Sequence, residues 1–239
     1  MNTVKFEKGN ALVVAHRGLS GIERENTNAA FVAAANRSYY GIETDIWRTS
    51  DGKFILNHDP DFSHYGGVGC EIEKTPFEDL RKIILTDKGG TRGRYDLRPS
   101  TLEEYIGICK RYEKRAVLEL KSNFTDGEIA EIINTIDVCG YLEGVTFISF
   151  GFENLLKVRK ILPDAVVQYL LWELNEANFK EAVDNSFDVD VAYKKVTPEW
   201  IERLHTAGVK INVWTVDTKD VAEEFVRLGI DFITTNILE

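Results

Sequence analysis

The chain has 239 residues, which is long for two domains and normal for one large α/β domain. Hydrophobic residues make up 44% of it, enough to fill one sizeable core, and the formal net charge is -10. This charge argues against a nucleic-acid partner and against a broad electrostatic hold on anionic membranes, but not against a small anionic substrate held by local cations.

Short apolar runs alternate with amphipathic helical segments along the whole chain. Thr101 with Glu104 forms a capping-box pattern that predicts a helix start, and Gly140, Gly208 and Gly229 stand where helices are expected to end. About eight repeats of this alternation favour an α/β fold with a parallel barrel over an open doubly wound sheet. The expected strands are Leu12 to Ala15, Gly41 to Trp47, Arg115 to Leu120, Val145 to Ser149, Ala165 to Leu170, Val189 to Tyr193, Val209 to Trp214 and Phe232 to Thr234.

One glycine-rich stretch, Asp59 to Pro99, interrupts the alternation. It contains one expected short helix, Pro76 to Leu85, and long loops of this kind are usually functional. We expect an inserted cap over the barrel mouth at about residues 59–99, within a single domain of residues 1–239. No internal repeat or linker indicates a second domain.

The sequence also predicts where the protein resides. Residues 1–10 contain no apolar run of signal-peptide length, and no later stretch reaches the roughly 20 apolar residues of a membrane span. Its three cysteines lack metal-type spacing, which fits a reduced compartment. We expect a soluble cytoplasmic protein without stable membrane insertion, and either a monomer or a homodimer.

Acidic residues stand inside two of the expected strands. Because alternate residues of a strand share a face, Glu43 and Asp45 project together, and so do Glu119 and Lys121. Three carboxylates can therefore converge into an all-oxygen site, which suits Mg²⁺ or Ca²⁺ better than zinc. The alternative is a set of unrelated charges at strand ends.

Two histidines follow apolar runs and should stand at strand ends. His16 and His58 near a metal cluster could act as the base and the acid that cleavage of a phosphodiester requires, although a lone histidine is more often structural. His64 in the insertion and His205 on a helix are interpreted as structural or solvent-facing.

Further residues are candidates for contacts with a substrate, and some of them have a second interpretation. Arg17 and Lys121 can neutralise phosphate oxygens, Arg17 as a bidentate fork and Lys121 as a point charge. Trp214 is either core packing or a flat wall for the carbon skeleton of a substrate. Glu25 and Asn26 precede a helix, so a capping role competes with a role in the site.

These residues, in this order, resemble the glycerophosphodiester phosphodiesterase family. Each motif is short, but the ordered set is specific and spans nearly the whole chain. The matching segments are His16-Arg17-Gly18, Glu25-Asn26-Thr27 with Ala30-Phe31, Glu43-Thr44-Asp45, Asp51-Gly52, His58-Asp59, Leu102-Glu103-Glu104, Glu119-Leu120-Lys121 and Val213-Trp214-Thr215-Val216.

The resemblance implies a TIM-type (β/α)8 barrel with a small inserted segment after the second strand, and hydrolysis of a glycerophosphodiester to glycerol 3-phosphate and an alcohol. By resemblance His16 and His58 are the acid–base pair, and one divalent cation, Mg²⁺ or Ca²⁺, is the cofactor. The nucleophile is either water or a hydroxyl of the substrate. The implied metal ligands and phosphate contacts are Glu43, Asp45 and Glu119, and Arg17 and Lys121, respectively.

Two alternative functions remain open at this point. A lysophospholipase D-like activity on a lysolipid would need an apolar ramp at the mouth, for which Phe62, Tyr65 and Val68 are the candidates. A non-catalytic barrel that binds phosphoesters would be expected to lack one of the five histidine and acidic site residues, and all five are present.

Overall fold

Eight parallel strands form a closed barrel. A computed structural model describes residues 2–65 and 69–239, and in it the first strand pairs with both the last and the second, as in Val14 with Thr234 and Val14 with Gly41. Pairing on both sides of each barrel strand closes the sheet and confirms the TIM-type α/β fold. The strands are β1 Leu12–Ala15, β2 Gly41–Arg48, β3 Phe54–Leu56, β4 Arg115–Leu120, β5 Val145–Ser149, β6 Val166–Leu171, β7 Asp188–Ala192, β8 Ile211–Trp214 and β9 Phe232–Thr235.

Strand β3 lies outside the barrel ring and pairs antiparallel with β2. β2 extends past the barrel mouth, turns, and β3 returns beside it, with Leu56 opposite Ile46. The backbone N–H of Asn57 then donates to the carbonyl of Asp45, at 3.0 Å. This hairpin brings the next residue, His58, back to the mouth.

Helices connect the barrel strands and pack against them, and their ends agree with the signals in the sequence. The Thr101–Glu104 capping box is formed, and Gly140, Gly208 and Gly229 have φ values of 67°, 77° and 83° just beyond helix ends. Within the described ranges, no helix has the length and apolar character required to span a bilayer. The helices are α1 Asn28–Ala35, α2 Phe77–Leu80, α3 Leu102–Arg111, α4 Asp126–Val138, α5 Phe152–Ile161, α6 Glu176–Asn185, α7 Pro198–Thr206 and α8 Lys219–Arg227.

The segment 59–99 packs around a small apolar cluster that it shares with Ile55 of β3. The predicted helix Pro76 to Leu85 was too long, since only α2 forms. Leu80 and Leu85 both bury in this cluster, and side chains five residues apart point about 140° apart around a helix. Three residues of the segment, 66–68, lie outside the described residues. The cluster comprises Ile55, Phe62, Tyr65, Ile72, Leu80, Leu85 and Leu97.

This segment contacts the loop between β1 and α1. The hydroxyl of Tyr65 donates to Glu25 at 2.7 Å, and Arg94 pairs with Glu23 at 2.6 Å. The loop begins next to His16, so the inserted segment adjoins one side of the barrel mouth. Its role as a cap within a single domain stays a prediction.

An apolar layer inside the barrel supports the mouth from below. Val14, Val117, Ile148 and Leu170 form one buried cluster contributed by four different strands. Glu119 follows Val117 by two positions on β4, so the two side chains share one face of the strand. The strand period therefore places a carboxylate directly above the apolar layer.

Candidate active site

A cavity of about 310 Å³ lies at the carboxyl ends of the barrel strands. This is the end at which barrels of this type place their functional residues. The cavity brings together every residue proposed from the sequence for chemistry except Asp45, whose side chain is fully buried next to those of Glu43 and Glu119. The predicted residues that line it are His16, Arg17, Glu43, His58, Glu119, Lys121 and Trp214.

Three buried carboxylates, those of Glu43, Asp45 and Glu119, form one cluster. One oxygen of each lies within 4.8 Å of the others, because the β2–β4 register sets Asp45 beside Glu119. Burial and the charge of Asp45 raise the pKa of Glu43 well above its usual value and that of Glu119 to about 8. A cation bound among the three would relieve this repulsion.

Asp45 stays ionised within this cluster. Burial acts to raise its pKa, but the positive charges of Arg17 and Lys121 outweigh burial and lower it. Its Oδ1 atom accepts no hydrogen bond from the described residues, and the Lys121 Nζ lies 3.5 Å away. A buried, ionised oxygen without a hydrogen-bond donor is suited to ligate a hard cation, so this donor set fits a divalent metal ion such as Mg²⁺ or Ca²⁺.

Two basic side chains, those of Arg17 and Lys121, lie at the edge of the carboxylate cluster. The backbone N–H of Arg17 donates to Glu43 at 2.8 Å and its guanidinium donates to Glu25 at 2.7 Å. The Nζ atom of Lys121 lies 3.0 Å from Glu119, and neighbouring carboxylates raise the pKa of Lys121 although burial acts to lower it. Both side chains line the cavity, so both can meet an anionic ligand there.

Glu25 and Asn26, in the loop before α1, contact residues of the cavity and of the carboxylate cluster. Their interpretation as caps of the helix was wrong. Helix α1 is capped by Thr27, whose Oγ1 accepts from the N–H of Ala30. The Asn26 amide instead donates to Asp45 at 2.9 Å. Asn26 has φ 53°, a left-handed conformation that non-glycine residues rarely adopt and that is often found at functional sites.

His16 is held as a neutral ring with a defined tautomer. The amide nitrogen of Asn236 donates to Asp217 at 2.6 Å, so its oxygen faces the Nδ1 of His16 at 2.8 Å. Nδ1 must therefore carry the hydrogen, which leaves Nε2 as the acceptor. Burial and the nearby charge of Arg17 lower the pKa of His16 to about 4, so the ring is uncharged near pH 7.

His58 is oriented by a carboxylate. Its Nδ1 lies 2.8 Å from one oxygen of Asp59, and the other oxygen lies 2.6 Å from the Nδ1 of the exposed His64. Partial burial acts to raise the pKa of Asp59, but the hydrogen bonds from His64 and His58 lower it. His205 lies on α7 beside Asp231 and away from the cavity, which agrees with its structural interpretation.

The opposite wall of the cavity is apolar and aromatic. Ile148, Phe150, Leu170, Trp172 and Trp214 line it from β5, β6 and β8. Sequence reasoning identified Trp214 but missed Phe150 and Trp172. A usable signal was present, because each is an aromatic residue that directly follows a strand end.

A fourth carboxyl group, Asp190 on β7, also lines the cavity and was missed in the sequence. It is buried, its Oδ1 atom has no partner among the described residues, and burial and the charge of Glu119 raise its pKa well above the usual value. Asp188 and Asp190 show the same alternation of acids in an apolar strand that drew attention to β2. That alternation was the available signal.

The chain matches a known protein family over most of its length. A sequence model of the glycerophosphoryl diester phosphodiesterase family matches residues 16–239. The chain belongs to this family. It is therefore an enzyme of the phosphoric diester hydrolase class, and the resemblance inferred from its motifs is confirmed.

Relatives within the family match over almost the full chain. The glycerophosphodiester phosphodiesterase of Caldanaerobacter subterraneus subsp. tengcongensis is 29% identical over 229 residues, which cover 94% of this chain and 93% of the relative. Glycerophosphodiester phosphodiesterase 1 of Mus musculus is 25% identical and covers 95% of this chain, with 78% of its own length aligned.

Solved structures share the fold. A glycerophosphodiester phosphodiesterase from Parabacteroides distasonis aligns with a TM-score of 0.80 and 27% identity, over 96% of this chain and 94% of that one. An Oleispira antarctica phosphodiesterase, solved in complex with the product sn-glycerol-3-phosphate, aligns with a TM-score of 0.83 and 22% identity, over 94% and 92% of the two chains.

Proposed function

We propose that the protein hydrolyses glycerophosphodiesters to glycerol 3-phosphate and an alcohol. The proposal rests on one observation: a buried carboxylate cluster, two oriented histidines and two basic side chains meet at one cavity. The product sn-glycerol-3-phosphate bound to the Oleispira antarctica phosphodiesterase supports this substrate class. We also propose a role in lipid and glycerol metabolism, which such substrates would imply.

Glu43, Asp45 and Glu119 would hold one divalent cation, Mg²⁺ or Ca²⁺. When bound, that ion polarises phosphate oxygens and stabilises negative charge that develops on them. The Oδ1 of Asp45 accepts no hydrogen bond from the described residues, and the pKa values of Glu43 and Glu119 are raised. Both observations support this assignment.

His16 would act as the general base. Its Nδ1 donates to Asn236, so the neutral ring presents Nε2 as a proton acceptor. The proton it accepts comes from the attacking hydroxyl, either of water or of the glycerol moiety. In the second case the alcohol leaves from a cyclic glycerol phosphate, which water then opens to glycerol 3-phosphate.

His58 would act as the general acid that protonates the departing alcohol oxygen. Its Nδ1 faces Asp59 at 2.8 Å, and this contact orients the ring so that Nε2 is the nitrogen that can meet the departing oxygen. The His64 contact to the other Asp59 oxygen holds this carboxylate in place.

Arg17 and Lys121 would contact the phosphate, and Trp214 the carbon skeleton of the substrate. The Arg17 guanidinium and the Lys121 ammonium group already pair with carboxylates, so both are positioned before the substrate binds. We also propose that residues 59–99 cap this side of the mouth through the contact of Tyr65 with Glu25. The cytoplasmic location and the choice between monomer and homodimer stay predictions.

The lysolipid alternative loses the feature on which it depended. Phe62 is 1% exposed and Tyr65 is 7% exposed, and both belong to the apolar cluster of the inserted segment. Neither side chain is available as a ramp at the mouth, and Val68 lies outside the described residues. Membership of a hydrolase family sets aside the non-catalytic alternative.

The test is release of glycerol 3-phosphate from glycerophosphocholine and glycerophosphoethanolamine with Mg²⁺, Ca²⁺ or EDTA. We expect turnover with at least one cation, its loss in EDTA, and its loss in His16→Ala despite unchanged thermal unfolding. Turnover of neither ester with either cation would contradict the proposed function.

A further inference from the structure

Three aromatic rings at the cavity mouth form one compact surface, made of Phe150, Trp172 and Trp214. Phe150 and Trp172 stack, with centroids 5.3 Å apart and an interplanar angle of 20°. Both meet Trp214 edge to face, at 5.8 Å and 5.0 Å. All three line the cavity that also contains the carboxylates and histidines.

Trp172 is unusually open for the largest apolar side chain. It is 67% exposed and Phe150 is 36% exposed, whereas Trp214 lies deeper. Phe150 stacks on the Trp172 indole, and two thirds of the Trp172 side chain stays exposed to solvent. The rings therefore run from the cavity interior to its outer rim, where a departing alcohol must leave.

The other tryptophans of the chain have partners that Trp172 lacks. The indole N–H of Trp47 and that of Trp214 each donate to a backbone carbonyl, at 3.3 Å and 3.2 Å. The guanidinium of Arg203 covers the ring of Trp200 at 4.3 Å. Across residues 2–65 and 69–239, no Arg or Lys lies over Trp172 and no group accepts from its indole nitrogen.

We propose that Phe150 and Trp172, with Trp214, bind the quaternary ammonium group of a choline-type alcohol while the phosphate is held by the opposite wall. This inference rests on the proposed function and names the alcohol of its substrate. Aromatic faces attract weakly hydrated cations, and such rings are the usual protein receptor for quaternary ammonium groups.

The charge of the surroundings agrees with a cationic occupant. The protein carries a formal net charge of -10, which favours a cationic alcohol group over an anionic one. A primary ammonium such as that of ethanolamine is more strongly hydrated and requires hydrogen-bond acceptors, which aromatic rings do not supply as well. We therefore expect preference for the trimethylammonium ester over the primary amine.

A long acyl chain fits this surface less well. An acyl chain gains affinity with each CH₂ group that it buries, so it requires an extended apolar channel. Here the aromatic surface consists of three rings above a cavity of about 310 Å³. The other apolar cluster near the mouth is internal to the inserted segment.

The experiment compares three esters of glycerol 3-phosphate: those of choline, of ethanolamine and of 3,3-dimethylbutanol, the uncharged carbon analogue of choline. Each is assayed with the wild type, Trp172→Leu and Trp172→Phe, and with Trp200→Leu as a matched control on α7. We expect Trp172→Leu to lower kcat/KM for the choline ester roughly three- to tenfold while the neutral ester changes by less than about twofold. Trp172→Phe should retain most of the preference, and Trp200→Leu all of it.

Equal losses on the choline and neutral esters, or no loss on either, would overturn the proposal and leave the hydrolytic function intact. Absence of turnover of all three esters by the wild type would instead contradict the proposed function. A measurement without variants adds a second test: tetramethylammonium should inhibit the wild type at lower concentration than neopentyl alcohol does. Equal inhibition by the two compounds would also overturn the proposal.

Discussion

The two halves of the barrel mouth differ in their chemistry. β1, β2 and β4, with the β2–β3 hairpin, supply the charged side: carboxylates, histidines and cations that contact one another directly. β5, β6 and β8 supply Ile148, Phe150, Leu170, Trp172 and Trp214. An apolar wall opposite a charged cluster lowers the local dielectric constant, so each charge acts more strongly on the phosphate than it would in water.

This difference suggests a division of roles. The charged half is built to bind phosphate and move protons, which every glycerophosphodiester requires. The aromatic half has few hydrogen-bonding groups and is suited to distinguish one alcohol from another. Variants in the charged half should therefore slow the esters of aliphatic alcohols such as choline and ethanolamine alike, and variants in the aromatic half should change their ranking.

The largest effect is expected from Asp45→Asn. The change removes the ionised, unpartnered oxygen at the centre of the carboxylate cluster, and losing several kcal/mol of charge stabilisation lowers kcat by roughly a thousandfold. Initial rates at saturating Mg²⁺ or Ca²⁺ measure this loss. The control is Asp126→Asn, a surface carboxylate paired with Lys160, which should keep wild-type rates. Near wild-type turnover by Asp45→Asn would show that the charged half acts without this ligand.

The next effect separates the two histidines. His58→Gln should lower kcat for the choline ester by roughly a hundred- to ten-thousandfold, because no group then protonates the departing alkoxide. A p-nitrophenyl ester departs without protonation, so it should be affected far less. His16→Gln should slow both esters. If instead His16→Gln spares the p-nitrophenyl ester and His58→Gln does not, the two roles are exchanged.

A smaller effect concerns stability in the absence of metal. The pKa of Glu119 is raised to about 8, so the folded state retains a proton that the unfolded chain has released. Stability therefore falls as the pH rises from about 4.5 to about 8. Glu119→Gln should raise the melting temperature in EDTA by a few degrees at the upper end of this range and less at the lower end.

The control for this measurement is Glu78→Gln, an exposed acid on α2. It should shift the melting temperature equally at both pH values. A Glu119→Gln variant that is less stable than the wild type throughout would contradict the repulsion among the three carboxylates.

The sequence predicted the barrel and the charged half for the same reason. The alternation of side chains along a strand is local, so Glu43 and Asp45 share one face of β2, and the β2–β4 register then places Glu119 beside Asp45. Helix ends were equally local, as Gly140 and Gly208 show. These features need no knowledge of distant contacts.

The remaining features depend on contacts between distant segments. Phe62 and Tyr65 are as apolar as Trp172, and composition alone could not indicate that the first two are buried and the last is exposed at the mouth. The route of His58 back to the mouth depends on the β2–β3 hairpin. The tautomer of His16 depends on Asn236, 220 residues away in the chain.

The most direct test of the division between the two halves is the ratio of kcat/KM for the choline ester to that for the ethanolamine ester. It is measured in Asn236→Ala, which removes the hydrogen-bond acceptor of His16, and in Trp172→Leu. We expect Asn236→Ala to slow both esters by roughly ten- to a hundredfold with the ratio unchanged. Trp172→Leu should reduce the ratio. A changed ratio in Asn236→Ala, or an unchanged ratio in Trp172→Leu, would contradict the division of roles between the charged and the aromatic half.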